Sequence, residues 1–370
     1  MENKNQALIE NFKKTCDFFY NNKDNIDQKS SYWTRYDFKK FNLENLINFR
    51  SNDSLSSGLD DQVESLDFKI YAKVVKEISE EYLLKNLPKK NIGNCKTLLE
   101  YKDILIDYNK LIHIHWFSTI EKEVLKKNKI MNLCEIGGGF GSFSELFVRN
   151  YNIKLISIDL PEAGLMTSYY LQENFPEKKF YLFKDYSSKN ILSYEQFLSN
   201  DIIILPPNCN YDPKIKIDFF VNARSMMEMN YNIIKTYFDF IQNHCHENSF
   251  FLNINRYEKN SVGKSIKISE YPYDNNWKVI LSKPSFNQNW IHFLLTQRTL
   301  DKNISDIKVE LEKIKKLGEK FYGMYQDYTP RFIFLKKLLR KFLKIFFLDK
   351  VLNIIGKIFL YIGNKLRNFK

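Results

Sequence analysis

Ile130-Met131-Asn132-Leu133-Cys134-Glu135-Ile136-Gly137-Gly138-Gly139-Phe140-Gly141-Ser142 decides how this chain is read. An apolar run ending at an acid leads into four glycines within five residues, and Phe143-Ser144-Glu145-Leu146-Phe147-Val148 then reads as a helix. Strand, glycine turn and helix open a nucleotide-binding α/β domain, because residues without a Cβ let the backbone turn sharply and approach a ligand. A second apolar run, Ile153 to Ile158, ends at Asp159, where such folds place the carboxylate that grips a ribose diol.

The glycine spacing separates two cofactors. A dinucleotide fingerprint needs glycine at 137, 139 and 142, and the last of these is Ser142. Acid-x-Gly-x-Gly-x-Gly fits completely as Glu135, Gly137, Gly139 and Gly141, which is the signature of S-adenosylmethionine sites. Such a site has no pyrophosphate to cradle and needs only close backbone approach to the methionine and ribose portions. Glu135 is expected to face the cofactor's amino-acid end and Asp159 to accept from both ribose hydroxyls, with Gly138 and Leu160 also at the cofactor. A nicotinamide site and a purely structural glycine turn remain as alternatives.

The same residues carry a narrower likeness. Leu133 through Gly141, followed by Ser157-Ile158-Asp159-Leu160-Pro161-Glu162, resembles the sugar O-methyltransferases of bacterial surface-polysaccharide gene clusters. Asn222-Ala223-Arg224-Ser225-Met226-Met227-Glu228-Met229 and Phe251-Leu252-Asn253-Ile254-Asn255-Arg256-Tyr257 are similar to two further blocks of that family. Leu46-Ile47-Asn48-Phe49-Arg50 through Gly58-Leu59-Asp60 is similar in flavour, so the likeness runs from about residue 40 to 300. Many methyltransferases share the glycine motif; its combination with Asp159-Leu160-Pro161-Glu162 and the Ser-Met-Met-Glu-Met block is far more specific. The resemblance implies a class I methyltransferase fold, S-adenosylmethionine as cofactor, and a sugar hydroxyl in O-antigen or capsule-type glycan synthesis as acceptor. It brings few catalytic assignments with it.

The expected fold is α/β, a Rossmann-like mixed sheet with an antiparallel last strand, an N-terminal helical domain and C-terminal amphipathic helices. The expected divisions are a helical cap over 1–126, the cofactor-binding domain over 127–300, a helical linker over 301–330 and a tail over 331–370. Val63 to Leu84 and Thr97 to Lys126 show apolar residues at three- and four-residue intervals; Leu105, Tyr108, Ile112 and Trp116 share one face, flanked by His113 and His115. Strands are expected at 131–136, 153–158, 179–183, 201–205, 218–222 and 249–254, with a helix at 231–242. Trp277 to Leu281 and Ile291 to Gln297 flank a hairpin, which delivers the antiparallel strand that an ordinary dinucleotide fold lacks. Leu205-Pro206-Pro207-Asn208 reads as a loop, and 301–322 as one amphipathic helix with Ile304, Ile307, Leu311, Ile314 and Leu317 on its apolar side.

Composition narrows the setting. The 370 residues are 44% apolar and 16% aromatic, enough to fill a core. The five cysteines, Cys16, Cys95, Cys134, Cys209 and Cys245, form no Cys-x-x-Cys pair, which points to reduced thiols in a cytosol. Residues 1–14 lack an apolar core of signal-peptide length, and no run approaches the ~20 apolar residues of a spanning helix. Residues 331–370 hold eleven Lys or Arg against Asp349 alone, a net +10 of the chain's +12. Lys336, Lys337, Arg340, Lys341 and Lys344 share one helical face, while Phe334, Leu335, Leu338, Leu339, Phe342, Ile345 and Phe346 cover much of the other. Such a helix suits an anionic membrane surface, so a cytoplasmic protein bound peripherally to the inner face of the cytoplasmic membrane is expected. So much apolar surface argues against nucleic acid as a partner. Self-packing or a second subunit would also cover it.

Methyl transfer to oxygen leaves the protein to orient the acceptor and take its proton. Positions beyond the carboxyl ends of parallel strands face the cleft, which brings forward Glu228 as first candidate base, Arg224 as its partner or an anion binder, and His115 as second base. Asp185 is placed for the adenine amino group, and Asn255, Arg256 and Tyr257 for the acceptor pocket. A divalent metal is left open: His244-Cys245-His246 is the one dense cluster of ligand types, and its histidines diverge on a helix. Two rival functions remain. Tyr231 and Lys235 have the spacing of a short-chain dehydrogenase relay, but no serine accompanies them in 214–220; a non-catalytic membrane adaptor is the other.

Overall fold

The computed structural model describes residues 2–21, 41–51, 68–95, 99–101, 104–183, 191–259, 264–300 and 306–322. Its longer helices, in chain order, are α1 (Glu2–Asn21), α2 (Phe68–Ile78), α3 (Glu80–Asn86), α4 (Tyr108–Ile120), α5 (Ser144–Asn150), α6 (Pro161–Asn174), α7 (Tyr231–His244) and α8 (Ile307–Gly318). The strands of the central sheet are β1 (Asn132–Ile136), β2 (Lys154–Ile158), β3 (Phe180–Leu182), β4 (Ile202–Leu205), β5 (Ile217–Ala223), β6 (Cys245–Arg256), β7 (Trp277–Ser285) and β8 (Gln288–Arg298).

The sheet runs β7-β8-β6-β5-β1-β2-β4-β3. From β3 to β6 every pairing is parallel, and β8 lies antiparallel between β6 and β7. Parallel strands covered on both faces must be apolar throughout, and Ile202-Ile203-Ile204-Leu205 is buried at every position. This is the expected mixed sheet, mostly parallel and closed by a late antiparallel strand. β1 sits between β2 and β5, so successive connections leave it in opposite directions. The crevice this opens at the strand carboxyl ends is where open α/β sheets bind ligands.

The strand beside β2 is β4, and β3 lies at the edge. The end of β2 is accordingly tied to β4, with the Asp159 N–H donating to the Leu205 carbonyl at 3.2 Å. Asp185 lies outside the described residues.

The N-terminal region is less purely helical than its periodicity suggests. Leu99–Tyr101 pairs with Ile104–Ile106 as an antiparallel hairpin, so Leu105 is in a strand and not on the helical stripe. Asp107 then caps α4, its carboxylate accepting from the N–H groups of Asn109 (2.7 Å) and Lys110 (3.3 Å). The other predicted helix breaks at Ser79, whose φ of 67° and side-chain bond from Tyr82 N start α3 afresh. α4 is buried almost all round, from Lys110 through Ile120, which marks a helix inside the structure. Residues 1–322 form one compact unit, so the expected boundaries at 126 and 300 fall inside a single body. Trp116 of α4 donates to Ser285 Oγ of β7 (3.0 Å), and Arg149 of α5 to the Leu87 carbonyl (2.9 Å). α8 buries Ile307, Leu311 and Ile314 but leaves Leu317 exposed; Ile304 and the 331–370 tail lie outside the described residues.

Candidate active site

The glycine turn leaves β1 at the crevice. Gly137 has φ +70°, and its N–H donates to the Ile158 carbonyl at 2.7 Å, tying the ends of β1 and β2. A Cβ there would lie 1.8 Å from Ser225 Oγ, so the residue after β5 can close on the turn only because position 137 is glycine. Gly139 and Gly141 share the left-handed backbone, and the Gly139 carbonyl accepts from Thr167 Oγ1 of α6 (2.6 Å). Glu135 differs from its expected place at the cofactor's amino-acid end. Its carboxylate is folded beneath the turn, accepts from the Ser144 hydroxyl, and fills the space under Gly138. Burial pushes its pKa up to about 7 against the opposing pull of Ser144 and Lys110.

Asp159 faces the turn from the end of β2. One carboxylate oxygen accepts from Gly139 N (2.8 Å), the other from Leu160 N (2.7 Å), which fixes the side chain before the helix begins. Burial raises its pKa to about 7; the two N–H donors resist this, and the charges of Glu135 and Glu228 add to it. Pro161 then starts α6 in the one helical turn where a missing N–H does no harm.

Beyond β5 the backbone is strained. Arg224 has φ 69°, a conformation that side-chain-bearing residues avoid, and its N–H is held by the Ile254 carbonyl at 2.7 Å. A chain of buried amides sets this corner. Asn222 donates to the Ile136 carbonyl and Ser225 Oγ (both 2.8 Å), while its carbonyl accepts from Met226 N (3.2 Å) and Asn255 Nδ2 (2.8 Å). Asn255 therefore serves the interior and not an acceptor pocket. Tyr257 is likewise buried, bonded to His292 (2.9 Å) and stacked on Phe321. Glu228 ends the short turn Met226–Glu228 and is half-buried. It lies within electrostatic reach of both Arg224 and Asp159. Arg224 Nη1 also points at Asn109 Oδ1 of α4 (3.4 Å), and burial and then Arg256 lower its pKa.

The two histidines of α4 exchange roles. Residues two apart on a helix point about 200° apart. Asp107 fixes where α4 begins, and that register turns His113 toward the glycine turn, 3.3 Å from Ser142 Oγ. His115 points away, bonded to Glu77 (2.6 Å) and stacked on Phe286, so it does not join the cluster as expected. Burial and the nearby Lys110, Arg224 and Arg50 hold the His113 pKa well below its usual value, leaving the ring neutral.

Lys110, unnoticed in the sequence, braces the far side of the turn. It is buried, and its ammonium donates to the Ser142 carbonyl (2.6 Å) and to Glu145 Oε2 (2.5 Å). Arg149 pairs with the other oxygen of Glu145, and Arg50 with Asp107. A lysine among Leu111, Ile112 and Ile114 is the signal that could have found it, since an unpaired charge there would be prohibitive.

Among the described residues no group of three or more His, Cys, Asp or Glu side chains is placed to hold a metal ion. His244 bonds the Ile215 carbonyl and His246 bonds Asp218, while Cys245 begins β6. Tyr231 is exposed at the start of α7. No helix among the described residues is long and apolar enough to cross a membrane.

No family model and no curated protein matches the chain. Solved structures with a similar chain path include S-adenosylmethionine-bound CalS10, an amino pentose methyltransferase from Micromonospora echinaspora (8% identity, 54% of this chain and 100% of that one, TM-score 0.36). N-methyltransferase NodS from Bradyrhizobium japonicum is another, at 11% identity, 60% and 98% coverage and TM-score 0.36. Human N-acetylserotonin methyltransferase is a third, at 13% identity, 63% and 66% coverage and TM-score 0.32. The chain spans about half the length of others: 57% of mitomycin 7-O-methyltransferase MmcR and 51% of an O-methyltransferase family 2 protein from Planctomyces limnophilus. Likenesses this distant say nothing of what this chain acts on; strand order and site geometry are what bear on it.

Proposed function

We propose that the chain is an S-adenosylmethionine-dependent O-methyltransferase acting on a sugar hydroxyl in bacterial surface-glycan synthesis. The observation that carries the cofactor half is the turn itself: left-handed glycines whose Gly139 N–H is held by Asp159, with Ser225 closing on Gly137. That cradle is one a Cβ would fill, and it has a carboxylate bonded to its Gly139 N–H but no third fingerprint glycine for a pyrophosphate. When bound, the cofactor supplies an electrophilic methyl group.

The chain's own residues then do the rest. Asp159 receives the ribose hydroxyls, and the turn holds the amino-acid portion by its backbone. Arg224, fixed by its strained backbone and by Asn109, orients the acceptor. Glu228 would take the acceptor hydroxyl's proton on a carboxylate oxygen, a role worth roughly 10²–10⁴-fold. The sugar and the glycan pathway rest on the Asp159-Leu160-Pro161-Glu162 and Ser225-to-Met229 blocks of the sequence. The basic tail is assigned to an anionic membrane surface, which suits a lipid-linked acceptor. A chain ending at Pro330 should then lose binding to anionic liposomes.

The test is transfer of labelled methyl from S-adenosylmethionine to a panel of free, nucleotide-linked and lipid-linked sugars. Label in a sugar, lost in Glu228→Gln, supports the reading. No label in any of these sugars, from a chain that binds S-adenosylmethionine, overturns the substrate class.

A further inference from the structure

A cavity opens at Asp159 and runs over the ends of β2 and β4, lined by Phe12 and Thr15 of α1 together with Asp159, Gly164, Leu205 and Pro206. Its position follows from the strand order. The glycine turn leaves β1, the ribose carboxylate ends β2, and β4 is the next strand outward. A nucleoside whose sugar is held by Asp159 and whose amino-acid arm lies over β1 must send its base the other way, over β4. That is where the cavity is.

We infer that α1 is part of the cofactor site, closing the adenine end, an assignment that rests on the S-adenosylmethionine reading. The walls suit a purine. Leu8, Phe12 and Leu205 are apolar and buried, and Asn11 adds a side-chain amide, which carries both a donor and an acceptor for the edge of the base. The helix is fastened there. Tyr20 donates its hydroxyl between both oxygens of Glu162 (2.6 and 2.7 Å) in the first turn of α6, three residues past Asp159, and Glu162 is only 2% exposed. The N-terminal helix thus serves the cofactor, while α4 serves the crevice side.

The test fills the cavity from either wall, with Asn11→Trp on α1 and Gly164→Leu on α6. A Cβ on Gly164 meets only Ile204 Cγ2, at an ordinary 3.5 Å, so the backbone tolerates the change. S-adenosylhomocysteine and 5′-methylthioadenosine are titrated calorimetrically against the full chain, with the melting temperature measured beside them. The expected result is loss of 5′-methylthioadenosine binding and at least about tenfold weaker S-adenosylhomocysteine binding in whichever variant keeps its melting temperature. Wild-type affinity for both ligands in the folded variants overturns the role of α1 alone. A wild-type chain that binds neither ligand overturns the cofactor reading, and this inference with it.

Discussion

The two halves of the crevice are built from different materials. On the β1–β2 side the surface proposed for the cofactor is backbone: glycines in left-handed conformation, N–H groups, and a single carboxylate pinned by two of them. On the β5–α4 side it is side chains, Arg224, Glu228, Asn109 and His113, carried by a strained corner and a buried helix. A backbone surface suits a ligand that never changes. A side-chain surface can be re-cut for a new acceptor without disturbing the first half.

If that division is right, damage to each half should read out differently. Glu228→Gln should lower kcat by roughly 10²–10⁴-fold with S-adenosylhomocysteine affinity unchanged, measured by turnover and titration. An equal loss of cofactor affinity would place Glu228 in the cofactor half. Gly137→Ala should do the reverse. Its Cβ would collide with Ser225 Oγ in a backbone that favours glycine, costing about 3 kcal/mol of stability and most of the cofactor binding. Ser225→Gly in the same chain should recover part of both.

Lys110→Met tests the brace between the halves. Removing one partner of a buried ion pair costs about 3–5 kcal/mol, and here toward the lower end because Arg149 still pairs with Glu145. Cofactor affinity should fall with it as the Ser142 carbonyl loses its donor, whereas Lys127→Met at an exposed pair should change neither.

The smallest effect is with pH. Asp159 must be ionised to accept from ribose, and its pKa stands raised to about 7. Cofactor affinity should therefore rise about tenfold from pH 6 to pH 8, and Asp159→Asn should flatten the profile at low affinity. The cofactor-free protein should move in the opposite sense. Raised carboxyl pKa values at Glu135 and Asp159 mean that the folded state holds more protons than the unfolded one. The contribution of these two groups to stability is then greatest below the ordinary carboxylate range and is lost as pH rises toward 7.

The same division decides what was legible in the sequence. Backbone chemistry leaves a local record, because a glycine needed for positive φ and an acid twenty residues on sit at fixed offsets. The glycine turn with its left-handed backbone, the carboxylate that meets it, the parallel strands and the late hairpin were therefore legible. Side-chain chemistry depends on which residues tertiary packing brings together. His113 and His115 look alike until Asp107 fixes the start of α4, and the apolar periodicity around Leu105 did not separate hairpin from helix. The bond between Glu135 and Ser144 was not legible, since nothing local distinguishes a carboxylate above a turn from one folded beneath it. Asn222, Asn253 and Asn255 did leave a signal. Each interrupts an otherwise apolar strand, and buried amides in such runs form networks. β4 beside β2, in place of β3, was not readable, because two short apolar strands in sequence carry no mark of which lies at the edge.

One titration tests the central claim most directly: the purified full chain against S-adenosylmethionine, S-adenosylhomocysteine and NAD(P)H. The account predicts binding of the first two, lost in Gly137→Ala, and none of the nicotinamide. Nicotinamide binding, or S-adenosylhomocysteine binding that survives in Gly137→Ala, would contradict it.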